Sequence, residues 1–209
     1  MKLEVEGIQD NGVIAEKFAF GVPHPTDRMS LGENRNPAIR WSDLPAGTRS
    51  LVLICVDPDA PSAADDVNQD DRTVSADLER VDFYHWLMVD IDPALGGIEE
   101  GSCSEGVTPK GKREPAGPAG TRQGRNDYTD FLAGDPDMAG DYFGYDGPCP
   151  PWNDEIPHRY RFRLIATDLE HAPVAEGFRG ADLEQALSGH VLGEASITAR
   201  YSLNPDVPA

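Results

Sequence analysis

Four short stretches of this chain carry side chains that could do chemistry. In Asp57–Pro61 (DPDAP), two carboxylates follow directly on the apolar run SLVLICV, at a strand end, where a rigid support usually holds functional groups. Pro58 and Pro61 should end sheet pairing there and stiffen the exit, and the X-Pro bonds are candidates for the cis isomer. His85 stands between large apolar residues in FYHWLM. It should be partly buried, and a buried imidazole needs partners for its ring nitrogens. A core histidine bonded to backbone is the plain reading of His85 alone. His158 follows Pro157 and opens a strand, which places it at a sheet end. Cys149 lies between Pro148 and Pro150, where a thiolate near His158 is conceivable as a nucleophile and a packed structural thiol is the simpler reading.

Other chemistries lack their residues. Gly111-Lys112 is followed by Arg113, so GPAGTRQG and its lead-in do not make a phosphate loop, which needs Gly-Lys-Ser/Thr opening a helix. DPDMAGD has Asp135, Asp137 and Asp141 but no bidentate Glu at calcium-loop spacing, so it reads as an acidic turn and no metal site is expected. There is no G-x-S-x-G elbow and no H-E-x-x-H. Cys55, Cys103 and Cys149 form no C-x-x-C unit and read as three reduced thiols. His24, His171 and His190 sit in polar, turn-like contexts and carry no signal.

The elements that must position these residues are mostly strands. LEVEG at Leu3–Gly7 alternates apolar and acidic residues, and PAIRW at Pro37–Trp41 is a second candidate. SLVLICV reads as a strand buried on both faces, and Asp82–Ile91 is another apolar, aromatic run of strand length. From Arg159 to Asp168 the pattern alternates, with Tyr160, Phe162 and Leu164 facing one way and Arg159, Arg161 and Arg163 the other. ASITARYSL is a last strand. One helix is expected at GADLEQALSGH, capped by Asp182, with Leu183, Ala186 and Leu187 at helical spacing and Gly189 at its end. Many strands, one late helix and frequent Gly/Pro turns imply a mostly β domain of two packed sheets. Residues 1–209 read as a single domain with a long irregular insertion around 99–142, whose first half is basic and second half acidic, so that the halves could attract each other.

Composition bounds the partners. Hydrophobic content of 39% with 8% aromatics suits a folded globule, and the longest apolar run, Leu51–Cys55, is strand-sized. A net charge of −19 repels nucleic acid and anionic lipid, so no nucleic-acid partner and no stable membrane insertion are expected. Much of the acid, including Asp65, Asp66, Asp70, Asp71 and Asp77, reads as a solvated loop. MKLEVEGIQD lacks the apolar core of a signal peptide, which makes the expected location cytoplasmic.

PAIRWSDLPAGTRSLVLICVDPDAP, FYHWLMV and GYDGPCPPWNDEIPHRYRFRLIATD, in that order, resemble the phosphatidylethanolamine-binding protein family, which includes the Raf kinase inhibitor proteins. The likeness runs from about Pro37 to Tyr201, and the GPCPP and QGRND spellings resemble its prokaryotic branch. The resemblance implies a β-sandwich of two antiparallel sheets with a few peripheral helices, and a small anion-binding cavity. Asp57 and Pro61 would line that cavity, with His85 from the central strand, Gly144, Gly147 and Pro148 from the glycine-proline loop, and His158 and Tyr160 from the next strand. No cofactor is implied, and prokaryotic relatives suggest a homodimer.

A physical logic accompanies that set. An anion needs several donors, which two imidazoles and close-approaching backbone N–H groups can supply. Asp57 fits if it accepts a hydrogen bond from His85 or His158, fixing the tautomer and favouring the cation. Affinity should then weaken as pH rises through the histidine pKa values. The expected role is a non-catalytic binding protein for phosphate-bearing small molecules or phospholipid headgroups. Inhibition of a kinase or protease partner is the alternative, and a hydrolase using Asp57 with His85 or His158 stands third. The 99–142 tract and the acidic stretch between Pro61 and Asp82 adjoin these motifs and could cover the cavity mouth.

Overall fold

A computed structural model describes all 209 residues. Its larger sheet has five antiparallel strands: β5 (Ser50–Pro61), β6 (Arg80–Ile91), β8 (Arg122–Gln123), β9 (His158–Thr167) and β10 (Val191–Tyr201), in the order β10-β9-β5-β6-β8. A three-stranded sheet, β1 (Lys2–Val5), β4 (Ile39–Ser42) and β7 (Gly97–Ile98), packs across one face, and β2 (Gly21–His24) and β3 (Arg28–Leu31) form a hairpin beside it. The mostly β sandwich expected from the strand pattern is the fold observed.

The period-two alternation of β5 explains its central place. Leu51, Leu53 and Cys55 enter the core between the two sheets with Val5, Ile39, Trp41, Phe162 and Leu164. Val52, Ile54 and Val56 point the other way, onto Leu183 of the late helix, α2 (Gly180–Ala186), onto Leu187 just past its end, and onto Phe178. A strand buried on both faces must be apolar throughout, as Leu51–Val56 is. In β9 the alternation holds too, with Tyr160, Phe162 and Leu164 buried in the inter-sheet core. Asp182 is not the cap of α2 but lies one turn inside, where its carboxylate accepts a hydrogen bond from the Arg179 backbone N–H at 2.9 Å.

Three expectations are corrected. The prolines of DPDAP do not end the pairing, because β5 runs on to Pro61. Between Asp57↔Phe83 and Ala60↔Val81, β5 takes one more residue than β6, and this bulge accommodates Pro58, which has no N–H to donate. No peptide bond is cis. The 99–142 tract is not wholly irregular either: β8 pairs with β6, and α1 (Tyr128–Phe131) packs Tyr128 into a buried aromatic cluster with Phe20 and Tyr142. Its basic and acidic halves meet at Arg125 and Asp141, 3.5 Å apart. No helix is long and apolar enough to cross a membrane.

Candidate ligand-binding site

β5 and β9 pair as far as Val56↔Arg161 and then part. At that sheet end lies a cavity of about 90 Å³, lined by Asp57, His85, His158 and Tyr160 at its polar side. Phe83, Phe131, Pro61 and Val67 are among its apolar lining. A second β-bulge aims His85 into it. Trp86 opposes Cys55 while Tyr84 opposes Val56, so His85 is the extra residue and turns to the Trp86 side of the sheet. Strict alternation would have sent it toward α2, where Tyr84 packs.

The two imidazoles have opposite environments. His158 is 1% exposed and lies between two carboxylates: Nδ1 is 2.7 Å from Asp57 Oδ2, and Nε2 is 3.0 Å from Asp154 Oδ2. A carboxylate only accepts, so both ring nitrogens carry hydrogen and the ring is an imidazolium. Burial opposes that charge, but Asp57 and Asp154 outweigh it and raise the His158 pKa to about 9. Asp154 is held below the usual carboxylate range, against the cost of its own burial, by hydrogen bonds from His158 and Arg80. Arg80 grips Asp154 with two N–H groups at 2.7 and 3.0 Å and also donates to the Ser75 carbonyl, tying the acidic loop to the site.

His85 is also buried, yet it meets a neutral partner. Its Nδ1 lies 2.7 Å from the Asp146 carbonyl oxygen. That oxygen accepts only, so Nδ1 carries the hydrogen and the Nε2 of the neutral ring is a bare lone pair. Burial lowers the His85 pKa, and the attraction of Asp57 and Asp146 does not make up for it. The Tyr160 ring meets His85 edge-on, with centroids 5.1 Å apart. Its hydroxyl is buried and has no hydrogen-bond partner. Asp57 completes the set, since its Oδ1 accepts the Asp59 N–H at 2.8 Å. Asp59 itself forms a pair with Arg159 at 2.7 Å.

Of the residues named from the sequence, Asp57, Pro61, His85, His158 and Tyr160 line the cavity, whereas Gly144, Gly147 and Pro148 do not. Gly147 is set by packing: a Cβ there would lie 1.9 Å from the Phe18 carbonyl oxygen. Its N–H donates to Asn34 and its carbonyl accepts from Tyr128, so neither faces a ligand. Gly144 has φ +77° and sits against Pro115, and the Pro148 carbonyl accepts from the N–H groups of Phe20 and Gly21. The loop therefore braces the site from behind. Cys149 does line the cavity, but burial pushes its thiol up to about 12, far from a thiolate at neutral pH. His158 has no ring nitrogen free to take a proton from a substrate.

Sequence reasoning missed Asp154, Asp146 and Tyr128. Asp154 had a signal in its position four residues before His158. Asp146 acts through the fold: its buried carboxylate takes hydrogen bonds from Asn34, Asn126 and Lys112 while its carbonyl holds His85.

Residues 5–202 match the family model described as phosphatidylethanolamine-binding protein. The chain belongs to that family. The UPF0098 protein YbhB of Escherichia coli is 32% identical over 203 residues, covering 97% of this chain and all of that protein. A UPF0098 protein of the archaeon Methanothermobacter thermautotrophicus is 30% identical, over 96% of this chain and 98% of its own length. These relatives place the chain on the prokaryotic branch of the family. Among solved structures, Escherichia coli YbcL, titled a new member of the mammalian PEBP family, superposes with a TM-score of 0.69 at 25% identity, covering 96% of this chain and 97% of YbcL. A homologue from Chlamydia trachomatis, CT736, shares the fold with a TM-score of 0.64 at 23% identity.

Proposed function

We propose that this protein is a non-catalytic binding protein whose cavity captures one oxyanion group of a phosphate-bearing small molecule or headgroup. The observation that carries the reading is the Tyr160 hydroxyl, buried and unpartnered on a residue that lines the cavity with His85, whose Nε2 is also without a protein partner. A buried hydroxyl without a hydrogen bond costs about 1–3 kcal/mol, which a ligand oxygen would recover. The apolar lining at Phe83, Phe131 and Val67 suits the organic part of such a ligand. The Asp57–His158–Asp154 array holds the floor rigid and does not itself donate to the ligand.

The test is thermal unfolding with inorganic phosphate, at ionic strength matched with sodium chloride. Phosphate at ~100 Kd should stabilise the protein by roughly 2.7 kcal/mol, and Tyr160→Phe should remove most of that gain while raising the unliganded Tm, since the unmet hydroxyl is gone. An unchanged wild-type Tm at tens of millimolar phosphate, at pH 5 as well as pH 7, would refute the reading.

A further inference from the structure

The hydrogen-bond polarity of the cavity says more about its ligand than its size does. Both N–H groups of His158 are spent on Asp57 and Asp154. His85 Nδ1–H is spent on the Asp146 carbonyl, which leaves Nε2 as an acceptor. The Tyr160 hydroxyl can donate. A complementary ligand therefore offers an oxygen acceptor to Tyr160 and a hydroxyl donor to His85.

Charge points the same way. Asp57 and Asp154 are matched by His158 and Arg80, Asp59 by Arg159, and Asp146 by Lys112. No surplus positive charge stands at the cavity, and the loop that supplies Ala64, Val67 and Asn68 to its lining carries Asp65, Asp66, Asp70 and Asp71. A dianion would find no counter-charge there.

Resting on the binding reading above, we propose that at neutral pH the cavity selects singly protonated oxyanions, namely the monoanions of phosphomonoesters and of inorganic phosphate, over phosphodiesters and sulfate. A monoester monoanion keeps one P–OH to donate to His85 Nε2. A diester and sulfate have none, and present only lone pairs to a lone pair. They bind only once His85 Nε2 takes up a proton from water. A monoester dianion likewise takes up one proton on binding, and that proton sits between His85 Nε2 and the phosphate oxygen. The titratable groups around His85 are Asp57 on β5, His158 and Tyr160 on β9, Tyr128 on α1, and Asp146 and Cys149 in the following loop. Burial lowers the His85 pKa, which disfavours a proton on Nε2 and favours its residence on the ligand oxygen.

Calorimetric titration of the wild-type protein tests this with methyl phosphate, dimethyl phosphate, sulfate and glycerophosphoethanolamine, the last being the diester of a lipid headgroup without its chains. At pH 6 methyl phosphate should bind at least about tenfold more tightly than the other three, the cost of one unmet buried hydrogen bond. Its affinity should be flat below its own second pKa, about 6, and fall about tenfold per pH unit above it, with one proton taken up. The other three should tighten steadily from pH 7 to pH 5. Dimethyl phosphate, glycerophosphoethanolamine or sulfate binding within threefold of methyl phosphate at pH 6 would overturn the selectivity and leave the binding reading standing. No binding of any of the four anywhere between pH 5 and pH 7 would overturn the binding reading itself.

Discussion

Raising the pH from 6.5 to 9 should strip the fold of the stability held in His158. The ring titrates at an ordinary 6.5 in the unfolded chain and at about 9 in the folded one. The folded state therefore binds more protons across that window, and the stability of unfolding falls as pH rises. The contribution is complete below 6.5 and gone above 9. A difference of about 2.5 pKa units at 1.36 kcal/mol each sets a ceiling of about 3 kcal/mol, roughly half of it lost by pH 8. Urea unfolding of the reduced protein at half-unit steps from pH 6 to 9.5 measures it directly. The three thiols are also raised by burial, but unfolded thiols ionise only near pH 8.5, so the loss between 6.5 and 8 belongs to His158. Asp57→Asn should lower overall stability and flatten this slope, because the larger of the two attractions that raise His158 is gone. A wild-type stability that is level or rising between pH 6.5 and 8 would refute the assignment of His158 as a buried imidazolium. Below pH 6.5 the sign reverses: His85, whose pKa is lowered, makes stability decline as the unfolded chain takes up its proton first.

Two further perturbations test the support behind the cavity. Lys112→Met leaves the 1%-exposed carboxylate of Asp146 without its cation and should cost about 3–5 kcal/mol, with much of that loss recovered when Asp146→Asn is added; equal losses in the single and double variants in urea melts would count against the pair. Gly147→Ala forces a methyl group to within 1.9 Å of the Phe18 carbonyl and should lower Tm by many degrees, whereas a Tm within 2 °C of wild type would show that the loop has room to move.

What could be read in advance followed from local rules. β5 had to be a doubly buried strand because Leu51–Val56 is apolar at both parities, and β9 showed its faces through alternating Arg and aromatic residues. Asp57, His85 and His158 could be nominated because a carboxylate at a strand end and imidazoles in apolar settings need partners. Gly144 and Gly147 misled, since glycine marks close backbone approach without saying what approaches; for Gly147 it is the Phe18 carbonyl and not a ligand.

The sequence by itself determined the residue types that meet at the cavity and the strands that carry them, because side-chain period and apolar pattern are properties of contiguous residues. Only the tertiary structure decided their chemical roles. A bulge one residue long turned His85 from one face of the sheet to the other, and that depends on how β6 registers against β5. Which histidine is charged depended on the partners that the fold brings together: carboxylates 101 residues and 4 residues away for His158, a neutral carbonyl 61 residues away for His85. Protonation responds to the field of the groups that folding brings alongside, so two histidines of similar local appearance became an imidazolium that holds the site together and a neutral ring that faces the cavity.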